Sequence, residues 1–213
     1  MKLNLEELRN MKGLTRRLDA ELFSLLDEVK SRIDAKAIYS VIRVKSLEED
    51  QVLLEDGNVL RGIVLVDMLN SGQEIIPHII TVGSNLESMA RKESNLLRAW
   101  LIERVADYAL EKALQYIKLQ TTQKLGEVVS VFSPGSGTGD LFALDQQHVL
   151  FKILNPARIG VSLTSSCMMV PRKSVSGVFA ATKEEYVACE YCPRECETRS
   201  REFKGAYPRS VAA

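Results

Sequence analysis

The sequence predicts an α+β fold with a largely antiparallel, twisted sheet flanked by helices. Short β-branched segments alternate irregularly with helical ones, and hairpin turns occur early and late in the chain. The chain has 213 residues, 46% of them apolar, which suffices to bury one sizeable core. Beyond Tyr186 the composition changes to a polar, basic and cysteine-rich stretch. We therefore expect one domain over residues 1–186 and a tail over residues 187–213.

The first part of the chain predicts a helix, a strand, a hairpin and a second strand. Apolar residues recur at three- and four-residue steps over residues 15–33, as in an amphipathic helix. The β-branched and aromatic run at residues 37–44 predicts a strand. Residues 55–58 (EDGN) separate two short apolar runs and have the composition of a hairpin turn. Residues 74–83 predict another strand, and the proline at position 77 predicts a sheet edge or a strand end.

The middle of the chain predicts the longest helix, over residues 94–119. Its expected buried stripe comprises Leu97, Leu101, Val105, Ala109, Ala113 and Ile117. Residues 127–132 then predict a strand, and residues 133–140 (SPGSGTGD) a glycine-rich turn. A short helix over residues 145–154 should end at Asn155-Pro156.

Two further strands are predicted at residues 161–170 and 174–182. They lie in the segment GVSLTSSCMMVPRKSVSG, from Gly160 to Gly177, which is dense in hydroxyl and sulfur side chains. This composition fits neither an amphipathic helix nor an ordinary strand. We interpret the segment as one shaped for a specific function.

Charge and hydropathy exclude several classes of protein. Lys plus Arg equals Asp plus Glu at 28 each, which argues against a general nucleic-acid binder. No apolar run approaches the length of a membrane span, and the N-terminal residues lack the apolar core of a secretory signal. We therefore expect a cytoplasmic protein whose cysteines are thiols or metal ligands before they are disulfides.

The tail carries three cysteines with C-x2-C-x3-C spacing: Cys189, Cys192 and Cys196. Thiolates are soft ligands for zinc or an iron–sulfur cluster, so the spacing predicts a metal site. A closed tetrahedral site needs a fourth ligand, for which Cys167 is one candidate and the two histidines, His78 and His148, are weaker ones. A three-cysteine cluster with an open position and three thiols without a metal are the alternatives.

The glycine-rich turn by itself favours a simple connector. It lacks the G-K-[ST] ending of a phosphate loop and the last interval of a dinucleotide fingerprint. The two histidines are far apart in sequence, and no residue resembles a nucleophile–base pair. The sequence therefore gives no reason to expect a hydrolase.

Together these segments resemble the activation (reactivation) domain of cobalamin-dependent methionine synthase, and its short free-standing relatives above all. The family has a turn of the type R-x-x-P-G-Y, which Pro134-Gly135 matches. It also has a segment L-T-x-S-x-x-M-x-P-x-x-S-V-S-G. The matching positions are Leu163, Thr164, Ser166, Met169, Pro171, Ser174, Val175, Ser176 and Gly177. The resemblance covers roughly residues 37–186.

The resemblance implies a domain that binds S-adenosylmethionine and docks on a corrinoid (cobalamin-binding) methyltransferase protein. There it supports reductive remethylation of the partner's cobalamin, with cofactors carrying the chemistry and the protein supplying orientation. The implied ligand-binding residues are Asp107, Ser133, Pro134, Gly135, Ser136, Ser174 and Tyr186. No catalytic side chain is implied. A cluster in the cysteine tail would supply the electron, or a separate electron donor would.

Two departures from the family pattern concern ligand binding. Val131 stands where the family has an arginine, and Ser136 stands where it has a tyrosine. A charge-assisted bond from arginine to a ligand carboxylate contributes about 1.5–3 kcal/mol, so another group must replace it for tight binding. Arg158, Arg172 and Lys173 are the candidates. The alternative functions are a non-catalytic module that binds a corrinoid protein and an iron–sulfur redox accessory.

Overall fold

The computed structural model describes residues 7–8, 19–125, 128–196 and 199–207. The chain divides into two compact units, each assembled from three stretches of sequence. The first unit comprises Met1–Ala37, Ile80–Ile117 and Pro156–Val175; the second comprises Ile38–Ile79, Lys118–Asn155 and Ser176–Ala213. The tail expected after residue 186 falls in the second unit, and its boundary stays a prediction.

The helices are α1 (Asp19–Lys30), α2 (Ile63–Met68), α3 (Asn85–Lys92), α4 (Leu96–Leu125) and α5 (Gln147–Leu154). The strands are β1 (Lys36–Tyr39), β2 (Ile42–Glu48), β3 (Gln51–Leu54), β4 (Val59–Arg61), β5 (Glu74–Thr81), β6 (Val129–Phe132), β7 (Ser162–Leu163), β8 (Met169–Val170) and β9 (Ser174–Ala181). Short 3-10 helices cover Leu144–Gln146, Pro156–Ile159 and Ala188–Tyr191. The start of the first predicted helix, at residues 15–18, lies outside the described residues.

The described residues form a seven-stranded sheet in the order β4-β3-β2-β5-β9-β6, with β1 paired to β5. Strands β2 and β3, β3 and β4, β2 and β5, and β6 and β9 pair antiparallel. Strands β7 and β8 form a separate antiparallel pair. The predicted α+β class with a mainly antiparallel sheet is therefore confirmed.

The core of the second unit comes from alternate residues of these strands. Val52 and Leu54 of β3, and Val178 and Ala180 of β9, are fully buried in one apolar cluster with helix α2. The two-residue spacing follows from the pleat of a strand, which sends successive side chains to opposite faces. Each fully buried side chain of this size contributes about 1.5–3 kcal/mol relative to an exposed one.

The core of the first unit is helical. Residues Leu22, Leu25, Leu26 and Val29 of α1 pack with Leu86 and Ala90 of α3 and with Leu101, Ile102, Val105 and Ala106 of α4. The predicted stripe of α4 is buried from Leu101 to Ala113, but Leu97 at its start is 44% exposed. The predicted buried stripe therefore begins one turn too early, because only the turns of α4 from Leu101 onward face the other helices.

Two further expectations about strands were wrong. Strand β5 lies inside the sheet and continues from Glu74 to Thr81, although its Pro77 predicted a sheet edge or a strand end. The ladder with β2 involves only Glu74 and Ile75, and beyond it Pro77 serves as an acceptor for the amide of Ser40 at 3.2 Å. Residues 161–170, predicted as one strand, form the β7–β8 hairpin, with Cys167 at φ 60° in its turn.

Candidate functional site

A cluster of charged side chains in the first unit surrounds the predicted ligand residue Asp107. We call Glu87, Glu103, Arg104, Asp107, Arg172 and Lys173 the charged cluster. Glu103 and Asp107 lie one turn apart on α4, so both carboxylates point the same way. Lys173, just before β9, places its Nζ 2.6 Å from Asp107 Oδ1 and 2.7 Å from Glu103 Oε2. The structure thus joins the acidic residue of α4 to the serine-rich motif.

The neighbouring Arg172 ties the same segment to a second helix. Its Nε lies 3.1 Å from Glu87 Oε1 on α3, and its Nη2 lies 3.0 Å from Glu103 Oε1. The backbone amide of Arg172 also donates to Glu87, at 3.1 Å. Burial raises the pKa of Glu87, but these bonds and the guanidinium charge outweigh it, so the pKa is lowered overall.

Asp107 itself already has two cationic partners. Lys173 binds one carboxylate oxygen, and Arg104, one turn earlier on α4, donates to the other. The side chain of Asp107 is 30% exposed and that of Lys173 is 13% exposed. An incoming ammonium group can therefore reach Asp107 only by competing with cations in place.

Ser174 occupies a supporting position beside this cluster. Its hydroxyl donates to the carbonyl of Pro171 at 2.7 Å and lies 2.9 Å from the hydroxyl of Thr81. Thr81 in turn accepts from the amide of Gly83 at 3.1 Å. These contacts fix the bend that presents Lys173, and Ser174 is buried. Its geometry is that of a structural hydroxyl.

The predicted glycine turn in the second unit is closed by its own backbone. The amide of Gly135 donates to the carbonyl of Phe142 at 2.8 Å, and the hydroxyl of Ser136 donates to the carbonyl of Ser133 at 2.7 Å. Gly135 has φ 78°, and a Cβ there would lie 2.9 Å from Leu144 Cδ1. Glycine is therefore favoured by the left-handed conformation, whereas the flexible and exposed Leu144 side chain is able to shift aside. Pro134 is buried.

Tyr186 belongs to an aromatic stack in the same unit. Its ring lies 5.1 Å from that of Phe132 and 6.0 Å from that of Tyr191, which meets Tyr207 edge-on at 5.0 Å. Its backbone amide donates to Ser130 Oγ at 2.7 Å. Burial raises the pKa of Tyr186 to about 12, so the phenol stays protonated at neutral pH.

The second unit also brings the glycine turn close to the segment that follows Tyr186. A Cβ on Gly137 would lie 3.4 Å from the carbonyl oxygen of Ala188. The predicted ligand residues thus gather in two groups. Asp107 and Ser174 lie in the first unit, and residues 133–136 and Tyr186 lie in the second.

The cysteine tail folds around one arginine. The guanidinium of Arg199 donates to the carbonyls of Cys189 and Cys192, both at 2.7 Å, and to that of Arg194 at 2.5 Å. Hydrogen bonds from the side chain and backbone of Ser200 lower the pKa of the Cys189 thiol; burial opposes them, and the charge of Arg199 adds to them.

Within the described ranges, which include all four cysteines, there is no disulfide. In the same ranges, no group of three His, Cys, Asp or Glu side chains is arranged to hold a metal ion. Cys167 lies in the first unit, whereas the three tail cysteines lie in the second. The metal site therefore stays a prediction from the C-x2-C-x3-C spacing.

Two features of the site were not predicted from sequence. The pairing of Lys173 with Asp107 joins residues 66 positions apart, and spacing gives no signal for it. The partners of Arg199 are backbone carbonyls, which no side-chain motif marks. No helix in the described part of the chain has the length and apolar character needed to span a membrane.

Comparison with known proteins identifies the family. The family model described as "Vitamin B12 dependent methionine synthase, activation domain" matches residues 84–197, more than half of the chain. Among solved structures, a crystal structure of the MetH reactivation domain bound to AdoHcy superposes with a TM-score of 0.66 at 14% identity. The match covers 88% of this chain and 79% of that one, and at this identity it establishes the fold. No curated protein matches the chain. This chain belongs to the family of vitamin B12-dependent methionine synthase activation domains.

Proposed function

We propose that this chain binds S-adenosylmethionine, docks on a corrinoid methyltransferase protein and supports reductive remethylation of that partner's cobalamin. Membership of the activation-domain family supports the proposal, as does the AdoHcy bound to a structural relative. The observation that carries it is the meeting of Asp107 with the segment Pro171–Ser174 in the first unit. Asp107 and Ser174 are both among the ligand-binding residues that the resemblance implies.

The proposed contribution of the chain is recognition and orientation. In the first unit, Asp107 binds the ligand's ammonium group. Ser174 and Tyr186 hold the backbone of the two segments, because both are buried and bonded to neighbouring groups. The cofactors supply the methyl transfer and the cobalt redox chemistry. In the described residues no side chain needs to act as a nucleophile.

Calorimetric titration of the full chain with S-adenosylmethionine tests the binding. We expect saturable binding, and we expect Asp107→Asn to weaken it at least tenfold, since a charge-assisted hydrogen bond is lost. Glu111→Gln is the matched control, because Glu111 lies one turn further along α4 and, within the described ranges, its side-chain hydrogen bond is with Gln115. Absence of heat at millimolar ligand would reject the proposal.

The corrinoid step needs a second assay. A cobalamin-loaded partner, an electron donor and S-adenosylmethionine are mixed without oxygen, and methylcobalamin is followed by its visible spectrum. Its formation only in the presence of this chain supports the proposal. Complex formation without turnover would favour the alternative of a non-catalytic binding module.

The cytoplasm as the compartment of this protein stays a prediction.

The tail supports a second candidate, an iron–sulfur or zinc site that accompanies the first function. The hydrogen bonds that lower the pKa of Cys189 favour a thiolate, the form that binds metals. Iron, sulfide and zinc analysis of protein purified without oxygen tests the site, with Cys189→Ser and Cys196→Ser as variants. Zinc alone would reject electron transfer by the tail, and no metal would reject the site.

A further inference from the structure

We propose that Lys173 receives the α-carboxylate of the ligand's amino-acid end while Asp107 receives its α-ammonium. This inference rests on the proposed function and names the residue that replaces the family arginine. It gives Lys173 of the charged cluster a role in ligand binding, which the family motif does not assign to this position. The position of the family arginine is Val131, which carries no charge.

The first argument is the arrangement of charges around Lys173. Its ammonium lies 2.6 Å from Asp107 and 2.7 Å from Glu103, so it is held by two carboxylates at once. If Asp107 turns to a ligand ammonium, Lys173 remains paired with Glu103. The lysine is therefore never left as an unpaired, poorly solvated charge, which would cost several kcal/mol.

The second argument is that the pair matches the ligand's own charges. An α-amino acid carries an ammonium and a carboxylate on the same carbon. When Asp107 and Lys173 separate slightly to admit it, one ion pair is lost and two are formed. The net charge of the site does not change, and Lys173, only 13% exposed, has already lost most of its water.

The third argument separates Lys173 from the neighbouring cations. Among the described residues, Arg172 contacts Glu87 and Glu103 but makes no hydrogen bond or ion pair with Asp107, and its side chain is 53% exposed. Arg104 does contact Asp107, but from the same helix, and its Nε atom is buried without a partner in the described residues. Among these three cations, only Lys173 contacts Asp107 from a different segment of the chain. The Lys173–Asp107 pair is therefore the one that can separate to admit a ligand.

The experiment compares two adenosine ligands on the full chain by calorimetry. S-Adenosylhomocysteine carries the amino-acid end, and 5′-methylthioadenosine lacks it. We expect the native chain to bind the first at least tenfold more tightly. Lys173→Met should remove most of that preference by weakening S-adenosylhomocysteine alone. Arg172→Met is the matched control and should preserve the preference within about threefold.

The opposite result is equally clear. If Lys173 only competes with the ligand for Asp107, Lys173→Met will tighten S-adenosylhomocysteine binding, and the inference fails while the proposed function stands. An unchanged preference has the same meaning. If the native chain binds no S-adenosylmethionine or S-adenosylhomocysteine, both fail. Should Lys173→Met not fold by circular dichroism, Lys173→Gln takes its place, since it keeps a polar side chain without the charge. Lys173→Arg should restore the preference.

Discussion

The imidazole of His78 lies flat on the ring of Phe179, with the ring centroids 3.8 Å apart and the planes 15° from parallel. His78 is completely buried, and its Nδ1 atom lies 3.4 Å from the carbonyl oxygen of Ile76. Its Nε2 atom has no partner among the described residues. Burial lowers the pKa of His78 to about 3, so the ring is neutral in the folded protein at neutral pH.

His78 is expected to make the fold sensitive to mild acid. The unfolded chain protonates this ring near pH 6.5 and the folded chain only near pH 3, so the unfolded state binds more protons between those values. Stability therefore falls as pH falls through this window, by about 2 kcal/mol from this group between pH 7 and pH 5. Urea unfolding at pH 7, 6 and 5 measures it.

His78→Phe is the informative variant for that experiment, because it keeps a flat ring against Phe179 and removes the titration. Its stability should depend less on pH between 7 and 5 than that of the native chain. Identical pH profiles for the native chain and His78→Phe would contradict the assignment.

Gly177 is expected to be irreplaceable for reasons of space. A Cβ there would lie 2.7 Å from the carbonyl oxygen of Phe132 and 3.2 Å from both His78 Cε1 and Ser133 Oγ. The first of these is backbone in a paired strand and cannot move aside. Gly177→Ala should therefore lower the free energy of unfolding by about 2–3 kcal/mol, measured in urea.

Gly57→Ala is the control for that measurement. Gly57 has φ 83° in the β3–β4 turn, with nothing within 4 Å of an added Cβ. It should lose only the backbone penalty of a left-handed residue, about 1 kcal/mol. A Gly177→Ala variant as stable as the native chain would show that β6 and β9 can separate at this point.

Much of the fold was predictable because its signals are local. The hairpin at residues 55–58 follows from its glycine, and Asp56 caps it by accepting from the amide of Asn58 at 3.0 Å. The stripe from Leu101 to Ala113 follows from helical spacing. The family motif marked Asp107 and the Pro134-Gly135 turn, and their role in ligand binding stays a prediction.

What was missed depends on distant residues or on the backbone. Pro77 was placed at an edge because the sequence does not show where the ladder with β2 stops. The hairpin in the serine-rich segment depends on a left-handed Cys167, a conformation that cysteine rarely adopts. The ion pairs of Lys173 and Arg172 depend on three helical carboxylates far along the chain, and only the folded structure shows which ones they reach.

Glu87 is expected to stabilise the first unit at neutral pH and not in acid. Its pKa is lowered in the folded state, so its contribution is present above the unfolded pKa near 4.5 and is lost as pH falls through the folded value. Glu87→Gln should cost about 1–2 kcal/mol at pH 7, since it weakens charged hydrogen bonds to Arg172.

Urea unfolding of Glu87→Gln at pH 7 and pH 3.5 checks this. The difference from the native chain should shrink at the lower pH. Glu111→Gln should be neutral at both pH values. It removes a carboxylate of α4 whose side-chain hydrogen bond, in the described part of the chain, is with Gln115. An equal loss at both pH values would mean that Glu87 acts by packing and not by its charge.

Arg199 is expected to hold the cysteine tail in its folded conformation. Its planar guanidinium donates to three carbonyls, those of Cys189, Cys192 and Arg194. The rigid fork of N–H donors on arginine is what allows one side chain to bind all three. Arg199→Met leaves these carbonyls without that donor, so the loop should open more often. Trypsin cleavage after Arg194, followed by mass spectrometry, should become several-fold faster, while the melting temperature of the whole chain changes little.

Arg201→Met is the matched control, because Arg201 pairs only loosely with Glu185, at 3.6 Å, on an exposed surface. Equal cleavage rates in both variants and the native chain would show that the tail is held by other contacts, such as the 2.7 Å bond from the amide of Lys204 to the carbonyl of Glu190.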